Sequence, residues 1–173
     1  MLIFISTLII GACTLRVKGA QEILLKVKNN IIGCKIEVKP INEKQLFTND
    51  NWYLEIPKIG LKANIEHGTT KEVMDKYIAH FDETKFWNGN IGLAAHNRGY
   101  PVNYFGRIKE LQIGDEIKYT TIFGTKTYKV ETSTIIEDTD WSYLEQTKDN
   151  RITLITCVEN EPNYRRCIQG IEI

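Results

Sequence analysis

Hydrophobic and polar residues alternate with a period of two along much of the chain after residue 51, a pattern typical of half-buried β-strands. Turn-forming residues divide this part into seven predicted strands at 52–56, 63–66, 91–95, 117–121, 127–132, 152–157 and 168–173. Gly124 lies between two of them as a hairpin turn. Seven or eight short strands with small connecting helices favour a mainly β fold, closed or nearly closed into a barrel.

Helical signals are few and short. Thr69 to Glu72 has the spacing of a capping box ahead of a short hydrophobic run. Residues 104–111 carry large apolar side chains at helical intervals, and a third turn is predicted over 141–144. We therefore expect helices only in the connections between strands.

The first fifteen residues carry no charge and predict a membrane-inserting segment. Because a spanning helix needs about 20 apolar residues, we expect this segment to be part of a longer anchor. A degenerate lipoprotein cleavage site ending at Cys13 is the alternative. The basic residues that follow, taken alone, would place the downstream domain in the cytoplasm. Residues 16–51 resemble a stalk, and we expect the folded domain at 52–173.

Composition excludes some partners and sites. Lys plus Arg and Asp plus Glu both number 22, so the charge balance shows no basic excess of the kind that nucleic-acid binding requires. Four cysteines form no Cys-x-x-Cys pair, and with three histidines the spacing predicts no zinc site. Free thiols are the better expectation for a domain of this size.

Four residues near strand ends are candidates for chemistry. Cys157 ends an apolar strand and precedes a polar loop, so a ligand can approach its sulfur. His96 ends another strand ahead of a polar turn, where its near-neutral pKa suits general acid–base catalysis. Arg165 and Arg166 follow the Cys157 loop, which is short enough to fold the last strand back beside the thiol. Each residue alone also fits an ordinary structural role, as a buried cysteine, a loop histidine or a solvated arginine.

The sequence Thr153-Leu-Ile-Thr-Cys157, followed by a short loop and an arginine, resembles the signature of bacterial sortases. Further segments resemble the same family, and together they extend over about residues 52–173. They are the predicted opening strand pair, the first helix entry, the histidine strand and the segment after it, at 55–61, 66–74, 93–98 and 108–117. The short stretch between His96 and the cysteine strand is most similar to class D or a related clostridial group.

The resemblance implies an eight-stranded sortase-like β-barrel and a role for each matching residue. Cys157 is the implied nucleophile, His96 the general acid or base, and Arg165 the residue that binds the oxyanion and positions substrate. Arg165 is preferred to Arg166 because it lies five residues before Gly170, a small residue in the last strand. Thr156 and Asn97 are implied contacts of the sorting peptide. His67 and His80 compete with His96 but are expected to be structural.

The implied reaction is transpeptidation at a C-terminal sorting signal resembling Leu-Pro-x-Thr-Gly on secreted proteins. The acceptor is an amine on a cell-wall precursor or a pilin lysine, and the enzyme is held by its N-terminus outside a Gram-positive membrane. No cofactor is expected. The alternatives are a purely hydrolytic cysteine peptidase, an L,D-transpeptidase-like enzyme, which lacks its motif here, and an anchored binding module with a buried Cys157. Cys167 shares the strand face of Arg165, so a disulfide with Cys157 is a further expectation to test.

Overall fold

The computed structural model describes residues 51–173, which belong to one compact unit. The predicted anchor and stalk at 1–15 and 16–51 fall outside the described residues, except for Asn51. The start of the catalytic domain at residue 52 stays a prediction. No helix in residues 51–173 is long and apolar enough to cross a membrane.

Eight strands form a closed barrel in the order β1-β2-β3-β4-β7-β8-β6-β5. Their bounds are β1 Tyr53–Ile56, β2 Leu61–His67, β3 Ile78–His80, β4 Asn90–Ala94, β5 Glu116–Thr121, β6 Gly124–Glu137, β7 Arg151–Val158 and β8 Glu161–Glu172. Neighbouring strands are antiparallel except for β2 with β3 and β4 with β7, which are parallel. The prediction of a mainly β, barrel-forming chain is confirmed.

Connections contain the only helical elements of residues 51–173, as expected. A single-turn helix, α1 (Lys71–Met74), lies in the crossover between the parallel strands β2 and β3. Its N-cap is Thr70, whose hydroxyl accepts from the Val73 amide, one residue later than the capping-box spacing predicts. Short 3-10 turns occupy Pro57–Ile59, Ile108–Glu110 and Ser142–Leu144.

Seven strands are predicted and eight are observed in residues 51–173, and five of the observed strands are longer than predicted. β3 was not among them, because all three of its residues are buried and produce no alternation. β8 begins at Glu161, before the predicted 168, since its first residues are polar and exposed and hide the pattern of a half-buried strand. β6 extends to Glu137 for 14 residues.

Inward-facing residues of all eight strands meet in one apolar core, to which β8 contributes Ile168. Trp52, Tyr119 and Tyr128 are its largest members, and Ile91, Leu93, Ile152 and Leu154 line it from β4 and β7. Full burial of one such aliphatic side chain stabilises the fold by about 1.5 to 3 kcal/mol. The alternate residues of β4 and β7 therefore point out of the barrel, and this outer face carries the candidate site.

Candidate active site

Cys157 and Arg165 face each other across the antiparallel pair β7 and β8. The thiol-bearing residue is exposed and stands one position from the end of β7. Val158 pairs with Glu161 while Cys157 pairs with Arg165, so β8 carries three residues, 162–164, that have no partner on β7. This bulge ends regular pairing next to the thiol, and Arg166 pairs with Thr156 on the opposite face.

β4 delivers His96 to the same end of the barrel, because β4 runs parallel to β7 with Ala94 opposite Ile155. The residues on either side of His96 bond to the cysteine strand. Ala95 accepts a hydrogen bond of 2.6 Å from the Thr156 hydroxyl, and the Asn97 side-chain amide donates to the Cys157 carbonyl at 2.7 Å. The histidine loop is thereby fixed to the residues that hold the thiol.

Two side chains that sequence reasoning missed contact His96. The Tyr100 ring stacks on the imidazole with centroids 3.5 Å apart and planes 6° from parallel. The Asp75 carboxylate, at the C-cap of α1, places Oδ1 3.5 Å from His96 Nε2. Burial lowers the pKa of His96, the Asp75 charge acts to raise it, and Lys71 acts to lower it. Neither partner had a sequence signal, since Asp75 is 21 positions from His96 and lies in a different connection.

The head group of Arg165 is engaged with its own bulge. Nη1 donates to the carbonyls of Pro162 and Tyr164 at 2.7 and 2.8 Å, and Nη2 lies 3.6 Å from the Asp138 carboxylate. The strand register thus brings Arg165 opposite the thiol, while its guanidinium binds local acceptors. An incoming carbonyl would compete with these acceptors for the same donors.

The two predicted substrate contacts have structural bonds. Thr156 is 5% exposed, and its hydroxyl donates to the Ala95 carbonyl. The Asn97 amide is used by Cys157. Arg98 reinforces the same junction, since it pairs with Glu159 and donates to Asn160 Oδ1 at 2.8 Å across the β7–β8 turn. Roles for Thr156 and Asn97 in binding substrate stay predictions.

Cys167 lies on the same outer face but opposite Ile155, two residues away from the Arg165 position. Cys167 is fully buried, whereas Cys157 is exposed. Both thiols are free, so the two sulfurs form no disulfide here. Burial raises the pKa of the Cys167 thiol to about 12. The alternative of a binding module with a buried Cys157 does not fit the structure, because Cys157 is exposed.

His67 is the last residue of β2 and His80 the last residue of β3, where they pair with their Nδ1 atoms 3.3 Å apart. His80 is fully buried, stacks on Phe86 and lies within 3.0 Å of the Lys85 carbonyl through Nε2. His67 lies 2.8 Å from the Asp82 carboxylate. These contacts are of the structural kind expected for both residues.

A cleft of about 530 Å³ opens on the outer face of the barrel. Phe81, Trp141 and Leu144 give it apolar walls, and polar side chains complete it: Thr69, Glu83, Glu145 and Gln146. Phe81 and Leu144 also pack over Ile155, which is two residues before Cys157 on the same strand face. Cys157 is not among the lining residues, so the cleft lies beside the middle of β7, and its apolar walls suit a ligand with apolar groups.

The arrangement combines an accessible thiol nucleophile, an imidazole that can exchange protons and a guanidinium that can bind a developing oxyanion. These are the groups needed for acyl transfer through a thioester. Cys157 and Arg165 pair across β7 and β8, and His96 follows the adjoining strand β4 at the same end of the barrel.

Comparison with known proteins agrees with this geometry. A family model described as the sortase domain matches residues 54–170. Sortase A of Listeria monocytogenes is 39% identical over 116 residues, covering 66% of the chain and 52% of the relative. Sortase D of Bacillus subtilis is 30% identical over 107 residues, with 60% and 52% coverage. The chain thus spans about half the length of these curated relatives.

A solved structure has the same fold. The sortase D5 transpeptidase of Clostridium perfringens superposes with a TM-score of 0.66 at 28% identity, covering 78% of this chain and 90% of that one. The coverage extends over most of both chains, so the barrel is shared as a whole.

Proposed function

The chain belongs to the sortase family, whose members are cysteine transpeptidases, and from this premise we propose that it cleaves a C-terminal sorting signal and transfers the acyl part to an amine. The signal is of the Leu-Pro-x-Thr-Gly type, cut between Thr and Gly. The observation that carries the proposal is the exposed Cys157 thiol opposite Arg165, on a strand end to which the His96 loop is bonded.

In the proposed first step, the thiolate of Cys157, whose proton is held by His96, attacks the Thr carbonyl carbon and the carbonyl oxygen takes up negative charge. Arg165 donates to that oxygen after its Nη atoms leave the carbonyls of the bulge. The carbon–nitrogen bond then breaks, and His96 gives its proton to the leaving Gly amine. A thioester on Cys157 remains. In the second step an amine attacks this thioester, His96 accepts the amine proton, and the thiolate is released.

We further propose that the cleft beside the middle of β7 binds the part of the peptide on the N-terminal side of the scissile bond. Its apolar walls, Phe81, Trp141 and Leu144, suit the Leu and Pro side chains of such a signal. Trp141 is 59% exposed, so a bound peptide would remove a large apolar surface from water.

We further propose that secreted proteins supply the signal and that a cell-wall precursor or a pilin lysine supplies the amine. The uncharged segment at 1–15 would hold the enzyme in the membrane with its catalytic domain on the outer side. Both statements rest on family membership and on the N-terminal sequence.

The test is intact-mass spectrometry of the chain after incubation with a library of sorting peptides. We expect a mass increase equal to the acyl part up to Thr, located at Cys157 by peptide mapping. Cys157→Ala should lose the adduct completely, and Cys167→Ala, a matched change in the neighbouring strand, should keep it. Adding an amine should consume the adduct and form the ligated peptide.

Two outcomes would contradict the proposal. An adduct that persists in Cys157→Ala would move the nucleophile elsewhere. An adduct that water removes at the same rate with or without every amine tested would identify a hydrolytic peptidase instead.

A further inference from the structure

We propose that Asp75 is a positioning residue for His96, forming with it an acid–histidine pair that fixes which ring nitrogen carries the proton during acyl transfer. The inference rests on the proposed function, which gives His96 its task. It assigns to a short connecting helix, α1, a part in the reaction that neither its sequence nor its distance along the chain suggests.

The first observation is that the two facing atoms have no other partner. His96 Nε2 and Asp75 Oδ1 are both buried, and neither has a hydrogen bond to another described group. They lie 3.5 Å apart. An unpaired buried polar atom costs free energy, so two of them facing each other are expected to close into a hydrogen bond when the imidazole is protonated.

The second observation is that Asp75 is itself held in place. Its other oxygen, Oδ2, pairs with the ammonium of Lys71, one helical turn earlier. Its backbone amide, at the C-cap, donates to carbonyls of α1. Lys71 keeps the pKa of Asp75 below its usual value, so the carboxylate is ionised at neutral pH and available as an acceptor. The carboxylate therefore has a defined orientation toward the histidine.

A bond to Asp75 decides which nitrogen of the neutral His96 imidazole carries the proton. A carboxylate oxygen can only accept, so it favours the tautomer with the proton on Nε2. In the neutral ring the free lone pair is then on Nδ1, which becomes the nitrogen that takes and returns protons. This is the general arrangement in which a base is oriented by a third group.

The stacked Tyr100 ring restricts the imidazole further. Face-to-face contact with centroids 3.5 Å apart resists rotation of the imidazole about its Cβ–Cγ bond. A bond to Asp75 would hold the ring in the same orientation. Arg98, the nearest cation on the histidine loop, is paired with Glu159 and Asn160.

The charged groups that act on His96 come from α1, and they act in opposite directions. The Asp75 carboxylate favours the imidazolium and raises its pKa, whereas the Lys71 ammonium disfavours it and lowers the pKa. Removing the carboxylate must therefore move the titration of His96 to lower pH. Removing the ammonium must move it to higher pH.

The experiment is an NMR titration of the imidazole C–H signals in the full chain carrying Cys157→Ala, which prevents the thiol from contributing to the titration. The chain has three histidines, so a His96→Gln variant assigns the signal. We expect Asp75→Asn to lower the His96 midpoint and Lys71→Met to raise it. Glu72→Gln, which removes an exposed carboxylate from the same helix, should leave the midpoint in place.

Acylation rates of the same substitutions in the chain with Cys157 provide the second readout. Asp75→Asn should slow acylation about tenfold or more, with the loss in kcat rather than KM, because His96 contributes at least about a hundredfold when correctly placed. Asp75→Glu should recover part of the rate. Thermal unfolding of each variant checks that α1 and the barrel persist.

The inference is wrong if Asp75→Asn leaves the His96 midpoint unchanged. It is also wrong if Asp75→Asn and Lys71→Met shift the midpoint in the same direction. An unchanged kcat in Asp75→Asn would overturn it as well. If the parent chain forms no acyl-enzyme while the opposite shifts are seen, the proposed function fails and the pairing of Asp75 with His96 stands.

Discussion

Cys157 and Cys167 lie on neighbouring strands and on the same outer face of the barrel, yet their surroundings are opposite. Cys157 is exposed where pairing between β7 and β8 breaks into a bulge. Cys167 is fully buried against Ile136 and Ile155, under Phe81, Tyr143 and Leu144. Cys167 lies only two residues along β8 from Arg165, the residue that faces Cys157. This short distance along the strand separates the accessible thiol from the packed one.

The side chains packed over a thiol, and not the strand face on which it lies, decide whether that thiol can react. Alternation places both sulfurs outside the barrel, and either would qualify by that rule alone. The 3-10 turn Ser142–Leu144 and the chain after β3 cover the middle of the strand pair and leave its end open. Burial then raises the pKa of Cys167 to about 12, which keeps its thiol protonated at neutral pH.

The largest expected effect is therefore the difference between the two thiols in alkylation by iodoacetamide. Burial keeps the Cys167 thiol protonated and shields it from the reagent, whereas Cys157 is exposed, so Cys157 should react faster than Cys167 by on the order of a thousandfold. Peptide mapping by mass spectrometry measures each site separately. In denaturant the two rates should converge, and comparable rates in the folded chain would show that the cover over Cys167 opens readily.

The next effect concerns the arginines that follow the bulge. Arg165 shares the face of Cys157, whereas Arg166 pairs with Thr156 on the other face. Arg165→Ala should slow acylation roughly a hundred- to a thousandfold, the cost of about 2.7 to 4 kcal/mol that the loss of one oxyanion donor brings. Arg165→Lys should restore only part of the rate, because an ammonium lacks the planar fork.

Arg166→Ala is the matched control for that variant and should cost far less, measured as the acylation rate with the same sorting peptide. Circular dichroism verifies folding. Equal losses from both alanine variants would mean that the arginines act through the structure of the bulge, and a larger loss from Arg166 would transfer the role to it.

The sequence predicted well the features that depend on local pattern. Period-two alternation and turn residues gave the barrel class, and the apolar strand ahead of Cys157 located the thiol at a strand end. The observed register places Arg165, and not Arg166, opposite Cys157, and the role of Arg165 in the reaction stays a prediction.

Contacts made by residues in the segments between strands could not be predicted from such patterns. Asp75 reaches His96 from α1, and Tyr100 folds back over its ring, through turns that no periodicity encodes. The three unpaired residues of β8 also redirect the Arg165 head group toward Pro162 and Tyr164, which strand alternation does not anticipate. β3 was missed because burial on both faces removes the alternation.

The smallest expected effect tests the cover over the middle of the strand pair through Gly92. A Cβ at this position would lie 2.7 Å from Leu144 Cδ2, 2.8 Å from Thr84 Cγ2 and 3.1 Å from Phe81 Cδ2, so Gly92→Ala must push the cover outward. Overpacking of this kind costs about 1 to 3 kcal/mol of unfolding free energy, measured by urea denaturation.

The same substitution should raise the alkylation rate of Cys167 and change that of Cys157 little, since the end of β7 is already open. Because Leu144 makes the shortest of the three contacts, adding Leu144→Ala to Gly92→Ala should cost less than the sum of the two single changes. Additive costs would mean that the clash is relieved by Thr84 or Phe81 instead. An unchanged Cys167 rate in a destabilised Gly92→Ala chain would separate global stability from local cover and show that Gly92 does not control access to the buried thiol.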